Sequence, residues 1–409
     1  IEKIQINGTI GLNQNYIKDR LLVGIKKPFN QKTLLNNLRL LQLNPLFEQI
    51  SAEITAGSTP ESSILVVNVK ENDPVSVTFN IDNRRSSSVG KIQRNITVNN
   101  NNFLGFGDRM DLSYTNTDGS HSINSSYQIP FNATNGTFNL EGGLTFSNVI
   151  EPPFDRLDIT GNSWYIRAKV EQPLILTPTE EFSLGLAFSR QESQTTLLGI
   201  NFPLSRSADE NGETRISKFI FSQNLIIRSA EDIFALSSSF NFGVDIFNAT
   251  VNEKNPDSRF FSWRTQTQYV RNLGENTLLL LRGDLQLTPE PLISGFEQFG
   301  LGGLSSVRGY TQDTLLADNG LFLSAEAKIP VLKMNKGAGL LQIAPFIDFG
   351  IGWNHLDQEK LNNNILLGIG LGLECKLGNN FNMRLDWGNP IFEAEKSNPV
   401  TFSVSYKVF

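Results

Sequence analysis

The segment "LQIAPFIDFGIGW", residues 341–353, decides the fold because apolar residues occupy alternate positions along it. The odd positions hold leucine, isoleucine, proline, phenylalanine and tryptophan, and the even positions include glutamine, alanine, glycine and Asp348. A period of two residues is typical of a β-strand with one apolar face. The same alternation recurs in "ILLGIGLGLECKL" (365–377) and "FNMRLDW" (381–387).

This alternation continues from about Pro74 to the C-terminus in about sixteen segments of about ten residues, the length that a tilted strand needs to cross a bilayer. The links also alternate, since "FNATNG" (131–136) is short whereas 191–214 and 288–319 are long. Short turns on one rim and long loops on the other are typical of outer-membrane barrels, in which every backbone group within the bilayer is paired. The sequence therefore predicts a mainly β fold, with an antiparallel transmembrane barrel of about sixteen strands over residues 74–409.

A soluble β-sandwich or propeller would also show this alternation, because it too buries one face of each strand. The number and length of the segments favour a membrane barrel instead. Aromatic residues near predicted strand ends favour it as well: Trp353, Trp387 and Tyr406. No apolar run approaches the roughly 18 residues of a spanning helix, which excludes a helical membrane protein.

Residues 1–73 predict a small mixed domain in the order β-α-α-β-β. Leu34, Leu38 and Leu41 recur at the spacing of one helix face, and Asn44-Pro45 ends that helix. The predicted elements are strands at 1–7, 47–55 and 62–72 and helices at 14–23 and 31–43.

The composition argues against several classes of function. A net charge of -6 without a basic cluster argues against a nucleic acid partner. Cys375 is the only cysteine, which excludes an intramolecular disulfide or a thiolate metal cluster. His121 and His355 are the only histidines, and nothing local indicates a Ser-His-Asp or metal site. The sequence therefore predicts no enzymatic activity, no cofactor and no metal.

Four segments carry a resemblance to a known family: "LLQLNPLFEQISAEITAGSTPESSILVVNVKEND" (40–73), "FGLGGLSSVRGYTQD" (299–313), "NGLFLSAEAKIPVL" (319–332) and "APFIDFGIGW" (344–353). Over nearly its whole length the chain resembles the two-partner-secretion transporters of the outer membrane, the TpsB or haemolysin-activator type. Their superfamily also includes barrel-assembly proteins. The resemblance implies that residues 1–73 are a POTRA domain in the periplasm.

The chain departs from the family pattern in two ways. Family members generally carry two POTRA domains and an N-terminal plug helix, whereas this sequence starts in one such domain, and any upstream parts lie outside it. The chain ends in Phe409, as outer-membrane barrels often do. However, Phe409 falls on the opposite face from the apolar residues Phe402, Val404, Tyr406 and Val408, which leaves the assembly signal open.

The resemblance also implies a functional loop. In the family, the loop that carries the motif Val307, Arg308, Gly309 and Tyr310 folds back into the lumen, so we expect 288–319 to lie inside the barrel, between its eleventh and twelfth strands. By resemblance, Arg308 meets Asp348 on the inner wall. The strand pattern places Asp348 on the non-lipid face together with the alternative partners Glu326, Glu374 and Asp386. The plainer interpretation is a solvated arginine and an ordinary polar lining.

Three glycines in one predicted strand also need an interpretation. No helix follows Gly368, Gly370 and Gly372, so they do not indicate a nucleotide-binding loop. They share one strand face, and we expect them to make room in the lumen for a loop.

The predicted function is export of a polypeptide, by resemblance a large β-helical exoprotein, by a monomer in outer-membrane lipid. The predicted substrate-binding site is the POTRA helix and edge strand, where an extended segment could add by β-augmentation. Its residues are Leu34, Leu38, Leu41, Ile64 and Val66. A barrel-assembly insertase and a passive porin remain alternatives, although a porin does not need residues 1–73.

Overall fold

A computed structural model describes residues 1–25, 30–59, 62–253, 256–293, 295–334, 339–355, 364–392 and 397–408. Within these ranges the chain forms a small α/β unit followed by a closed β-barrel. None of the described helices has the length and apolar character needed to cross a membrane. Phe409, whose orientation the sequence left open, lies outside the described residues.

The N-terminal unit has the predicted order β-α-α-β-β. Asn13 and Asn30 cap the two helices, each accepting backbone N–H bonds with its side chain. The elements are β1 (Lys3–Asn7), α1 (Gln14–Leu22), α2 (Gln31–Gln42), β2 (Phe47–Ala56) and β3 (Ser63–Glu71). The sheet order is β1-β3-β2, in which β1 runs parallel and β2 antiparallel to β3. This arrangement fits a POTRA-like domain.

The sheet order corrects one part of the predicted substrate site, the placement of two of its residues on an edge strand. Ile64 and Val66 lie on β3, which is the central strand and is paired on both sides. The two helices connect β1 to the hairpin, and β3 is the hairpin strand that pairs with β1, so the free edges belong to β1 and β2. Leu34 and Leu41 are buried in the core of the unit, with Leu38 packed against it, so these leucines hold the fold together.

The remaining strands follow in chain order. They are β4 (Val75–Asp82), β5 (Gln93–Asn100), β6 (Arg109–Asn116), β7 (Ser120–Pro130), β8 (Thr137–Asn148), β9 (Thr160–Leu176), β10 (Glu180–Leu197), β11 (Ile200–Asn201), β12 (Glu213–Arg228), β13 (Asp232–Gly243), β14 (Phe261–Gly274), β15 (Thr277–Leu287), β16 (Phe299–Leu301), β17 (Gly309–Tyr310), β18 (Leu315–Ala317), β19 (Asn319–Met334), β20 (Gly339–Trp353), β21 (Ile365–Leu377), β22 (Phe381–Pro390), β23 (Ser397–Asn398) and β24 (Val400–Lys407). Two short 3-10 helices occur at Ser87–Val89 and Phe154–Leu157.

Sixteen of the described strands close into an antiparallel barrel, which confirms the predicted fold class. They are the strands from β4 to β24 other than the five short ones of two or three residues: β11, β16, β17, β18 and β23. The seam is formed by β24 and β4, which pair from Ser403 with Asp82 to Lys407 with Thr78. Closure pairs the edges of the first and last strands, as a bilayer requires.

The two faces of the strands follow the predicted alternation. On β20, Ile347 and Trp353 are exposed on the outside, whereas Ala344 and Asp348 are buried on the inside. The outer surface carries many exposed apolar side chains, and the interior carries most of the buried charged ones. The barrel therefore has an apolar exterior and a polar interior.

Several strands are longer than the predicted ten residues. β9 has 17 residues and β10 has 18. The two ends of segment 191–214, predicted as a loop, continue the β10–β12 ladder as far as Gln194 and Glu213. Beyond them, β10 pairs with β11 at Thr196 and Leu197. Beyond the bilayer, this continued pairing satisfies the backbone groups within the sheet, although water could also do so there.

The short turns and the long loops lie on opposite rims, except for the short β6–β7 turn at 117–119, which lies on the rim of long loops. The N-terminal unit contacts the rim of short turns, where Asn13 donates its backbone N–H to the Gly105 carbonyl at 2.8 Å. On the same rim, Arg20 Nε donates to Asn135 Oδ1 at 2.8 Å. Loop 288–319 starts from the opposite rim, after β15.

Candidate functional site

Loop 288–319 folds against the inner wall of the barrel. Its two limbs pair as a short hairpin of β16 and β18. Val307 and Tyr310 are completely buried, and they pack in one apolar cluster with Phe322 of β19 and Leu366 of β21. The loop therefore has a defined seat on the wall.

Arg308 lies at the centre of a buried ionic cluster. Its Nε and Nη2 donate to the two oxygens of Asp348 at 2.7 and 2.9 Å, and its backbone N–H donates to the same carboxylate at 3.1 Å. Its Nη1 donates to Glu326 at 2.6 Å and to Asp386 at 3.4 Å. The guanidinium carbon lies 3.4 Å from the ring centre of Phe346. Only 2% of the arginine side chain is exposed, so these contacts replace its hydration.

A second guanidinium completes the cluster. Arg384 of β22 donates to Glu326 at 2.7 Å and to Asp386 at 2.7 Å. Ser324 donates its hydroxyl to Asp348 at 2.7 Å. We call Arg308, Arg384, Glu326, Asp348 and Asp386 the Arg308 cluster. Its two guanidiniums face three carboxylates, and buried charges are stable only when they are paired and hydrogen-bonded in this way.

Glu374, the remaining predicted alternative partner, does not contact Arg308. It accepts from Lys328 at 2.6 Å and lies 3.1 Å from Lys376. β22 brings Arg384 to within 4.0 Å of Glu374, so this acid lies next to the cluster.

Sequence reasoning missed Arg384 as a member of the cluster. The available signal was its position two residues before Asp386, on the polar face of "FNMRLDW". The contact of Phe346 with Arg308 was not predicted either. Phe346 is a large apolar residue on a face that otherwise carries small or polar residues, and this exception was the available signal.

The residues beside Arg308 bring the loop backbone close to the wall. Gly309 and Tyr310 form β17 and pair with Asn398 and Ser397 of the loop after β22. The Tyr310 hydroxyl accepts backbone N–H bonds from Leu367 and Phe392, both at 3.3 Å. Tyr310 thus ties the loop to two further segments.

Glycine on the wall permits this approach. A Cβ on Gly368 would overlap the Arg308 carbonyl. One on Gly388 would lie 2.7 Å from the Gly309 nitrogen and 3.0 Å from the Arg308 carbonyl carbon. Gly370 and Gly372 instead make room for neighbouring wall residues, among them Phe346 and Asp386. The wall is therefore shaped for the loop at Gly368 and Gly388.

The family model described as "Haemolysin secretion/activation protein ShlB/FhaC/HecB" matches residues 61–375. Among curated proteins, the outer membrane transporter CdiB of Escherichia coli is 24% identical over 82% of this chain and 57% of its own length. The heme/hemopexin transporter protein HuxB of Haemophilus influenzae strain 86-028NP is 20% identical over 83% of this chain and 60% of its own length. The chain therefore spans less than two thirds of these relatives.

Two solved structures have the same fold. CdiB from Escherichia coli aligns with a TM-score of 0.78 at 19% identity, covering 99% of this chain and 76% of that one. BamA from Haemophilus ducreyi lacking POTRA domains 1–3 aligns with a TM-score of 0.67 at 12% identity, covering 99% of this chain and 84% of that one.

Proposed function

Because the chain belongs to the haemolysin secretion/activation family of ShlB, FhaC and HecB, we propose that it is an outer-membrane transporter that secretes a partner polypeptide through its barrel. Residues 74–409 form the transmembrane barrel, which acts as a monomer in outer-membrane lipid. Residues 1–73 form a POTRA domain in the periplasm. The apolar exterior, the polar interior and the N-terminal unit on the short-turn rim support this arrangement.

The observation that carries the proposal is the seat of loop 288–319 in the lumen. The buried Arg308 side chain forms ion pairs with three carboxylates of the wall, which replace the water that would surround it in solution. A passive porin does not need a loop held by such a cluster, whereas a transporter needs a lumen that closes in its resting state. The Arg308 cluster is therefore the candidate site that holds the loop closed.

The cargo is a large secreted β-helical protein, recognised in its unfolded state. The free edges of the N-terminal sheet, β1 and β2, can each accept an extended segment through backbone hydrogen bonds. Ile54 on β2 is about half exposed and offers an apolar contact beside that edge. No nucleotide motif occurs in the sequence, so folding of the cargo outside the cell supplies the driving force, and the chain itself carries out no enzymatic step.

A barrel-assembly insertase is the second candidate, because BamA has the same fold. To separate the candidates, the gene is deleted in the source strain, and secreted and outer-membrane proteins are compared. We expect loss of one large secreted protein while other outer-membrane barrels keep their normal levels. A general loss of outer-membrane barrels would instead favour the insertase, and a defect confined to small-solute uptake would favour the porin.

The same strain tests the N-terminal unit. Complementation with the full chain should restore secretion, whereas a chain without residues 1–73 should insert as a barrel and fail to secrete. Secretion by the truncated chain would place cargo recognition outside β1 and β2.

A further inference from the structure

The first limb of loop 288–319 is held on a different part of the wall from the Arg308 cluster. Lys218 of β12 donates from Nζ to Oε1 and Oε2 of Glu297 at 2.6 and 2.8 Å. The Glu297 side chain is buried and that of Lys218 is mostly covered, with 6% and 12% of their surfaces exposed. Three strands, β13, β14 and β15, separate β12 from β19. One loop is thus tied to the barrel by two buried ion pairs at separate places.

Apolar packing accompanies this second ion pair. Leu292 and Ile293 are fully buried against Ile216 of β12 and Phe260, which directly precedes β14. Ile216 and Lys218 lie two residues apart on one strand and so project from the same face. The limb therefore has its own apolar seat next to its own ion pair.

Hydrogen bonds at the base of the loop also hold the limb in place. Asp318 is completely buried and accepts from the Leu292 backbone N–H at 2.9 Å and from Gln298 Nε2 at 3.2 Å. Gln286 Nε2 donates to the Glu297 carbonyl at 2.9 Å. These bonds join the limb to both ends of the loop without involving Arg308.

A bend separates the limb from the tip. Gly302 and Gly303 have φ angles of +108° and +90°, which are open to glycine and strained for other residues. Arg308 lies beyond this bend, and Glu297 lies before it. Motion of the tip can therefore be absorbed at the two glycines.

We propose that the Lys218–Glu297 pair is a second anchor that keeps the first limb, residues 288–298, on the β12 wall when the Arg308 cluster opens. Only the tip, residues 302–314, then leaves its seat, so the lumen opens along β19, β20 and β22. This inference rests on the proposed function, since it concerns the opening of the same lumen. It assigns Lys218 and Glu297 as positioning residues of the loop.

Thiol labelling of the purified full-length protein in detergent tests the proposal. In a Cys375→Ser background, Ile293→Cys reports on the limb and Val307→Cys on the tip, since both native side chains are completely buried. Adding Arg308→Ala should speed maleimide labelling of the tip cysteine about tenfold or more, the effect expected when a buried charged hydrogen bond is lost. Labelling of the limb cysteine should stay slow.

Glu297→Gln should have the opposite effect, speeding labelling of the limb cysteine by a similar factor. Lys218→Met, which keeps the apolar stem, provides a second variant should Glu297→Gln fold poorly. Exchange of the two charges, Lys218→Glu with Glu297→Lys, should restore slow labelling, which a merely damaged structure would not do. As a control, Glu141→Gln breaks a more exposed ion pair between wall strands, with Arg167 at 3.3 Å, and should change neither rate.

Two results would overturn the proposal. Equal exposure of both cysteines by Arg308→Ala would show that the loop moves as one unit. Continued protection of the limb cysteine in both Glu297→Gln and Lys218→Met would show that the ion pair does not anchor the limb. The labelling needs no cargo, so its outcome is separate from that of the secretion assay: the anchors can hold even if the proposed cargo is wrong.

Discussion

Arg308 makes four side-chain hydrogen bonds to three carboxylates that come from three different strands. The planar guanidinium allows this, because its fork can hold one carboxylate with two bonds and still point a nitrogen at a second acid. A lysine ammonium in the same place could keep the charge but would lose the paired contact with Asp348. The arrangement explains why an arginine, and not merely a cation, stands in the loop.

The first prediction concerns this pair. Arg308→Ala and Asp348→Ala should each reduce secretion sharply while barrel insertion stays mostly intact, because removing one partner of a buried ion pair costs about 3–5 kcal/mol. The double variant should be little worse than either single variant, since both single changes remove the Arg308–Asp348 interaction. Secretion of the partner and heat-dependent gel migration measure the two effects. Additive losses would show that the two residues act independently.

The sequence could predict part of the Arg308 cluster. The period of two places Asp348, Glu326 and Asp386 on the inner face, and the resemblance names the loop that approaches them. The sequence could not show that all three carboxylates contact Arg308 or that Arg384 belongs to the same cluster. Those contacts depend on the stagger between neighbouring strands and on the path of the loop, which the pattern of single strands does not fix.

At the scale of elements, β21 and β22 are shaped to receive the loop backbone. Gly368 and Gly388 are the positions where a side chain would meet Arg308 or Gly309. Both lie within regular strands, where glycine has no packing advantage of its own. Close approach of another backbone accounts for them.

The second prediction follows from this fit. Gly368→Val should displace the loop tip and raise the pore conductance measured in planar bilayers, because the new side chain occupies the place of the Arg308 carbonyl. The barrel should still fold, since the substituted position faces the lumen. Gly161→Val on β9 is the matched control, because it lies on the inner face opposite Ser147 and its Cβ would meet only the Ser147 hydroxyl, at 3.2 Å. Equal conductance of the two variants would show that the wall glycine does not seat the loop.

In the N-terminal unit, the sequence predicts the helices and strands but not how the strands pair. The order of helices and strands along the chain could be derived from leucine spacing and strand patterns. The order of the strands within the sheet could not be derived in this way, because pairing of β1 with β3 is a contact between residues far apart in the sequence. The sequence pattern therefore predicts Ile64 and Val66 on an edge strand, whereas the free edges are β1 and β2.

At the scale of the whole molecule, closure of the barrel and filling of its lumen are separate features. Closure depends on the seam between β24 and β4, where five residue pairs join the two ends of the barrel. Filling depends on loop 288–319, which enters from the opposite rim to the N-terminal unit. The two features should therefore be separable by deletion.

The last prediction tests this separation. The chain is refolded in detergent from the denatured state, so that cellular assembly plays no part, and its migration is compared with and without boiling. The full chain should show the heat-dependent shift of a closed barrel, because every strand is paired and unfolding must break the sheet as a unit. Replacing residues 289–317 by a short Gly-Ser linker should keep this shift and raise conductance. Deleting residues 400–409 should abolish the shift, because the ladder edges of β22 and β4 are then left unpaired. A shift that survives loss of the seam strand, or one that disappears with the loop, would contradict the separation of closure from filling.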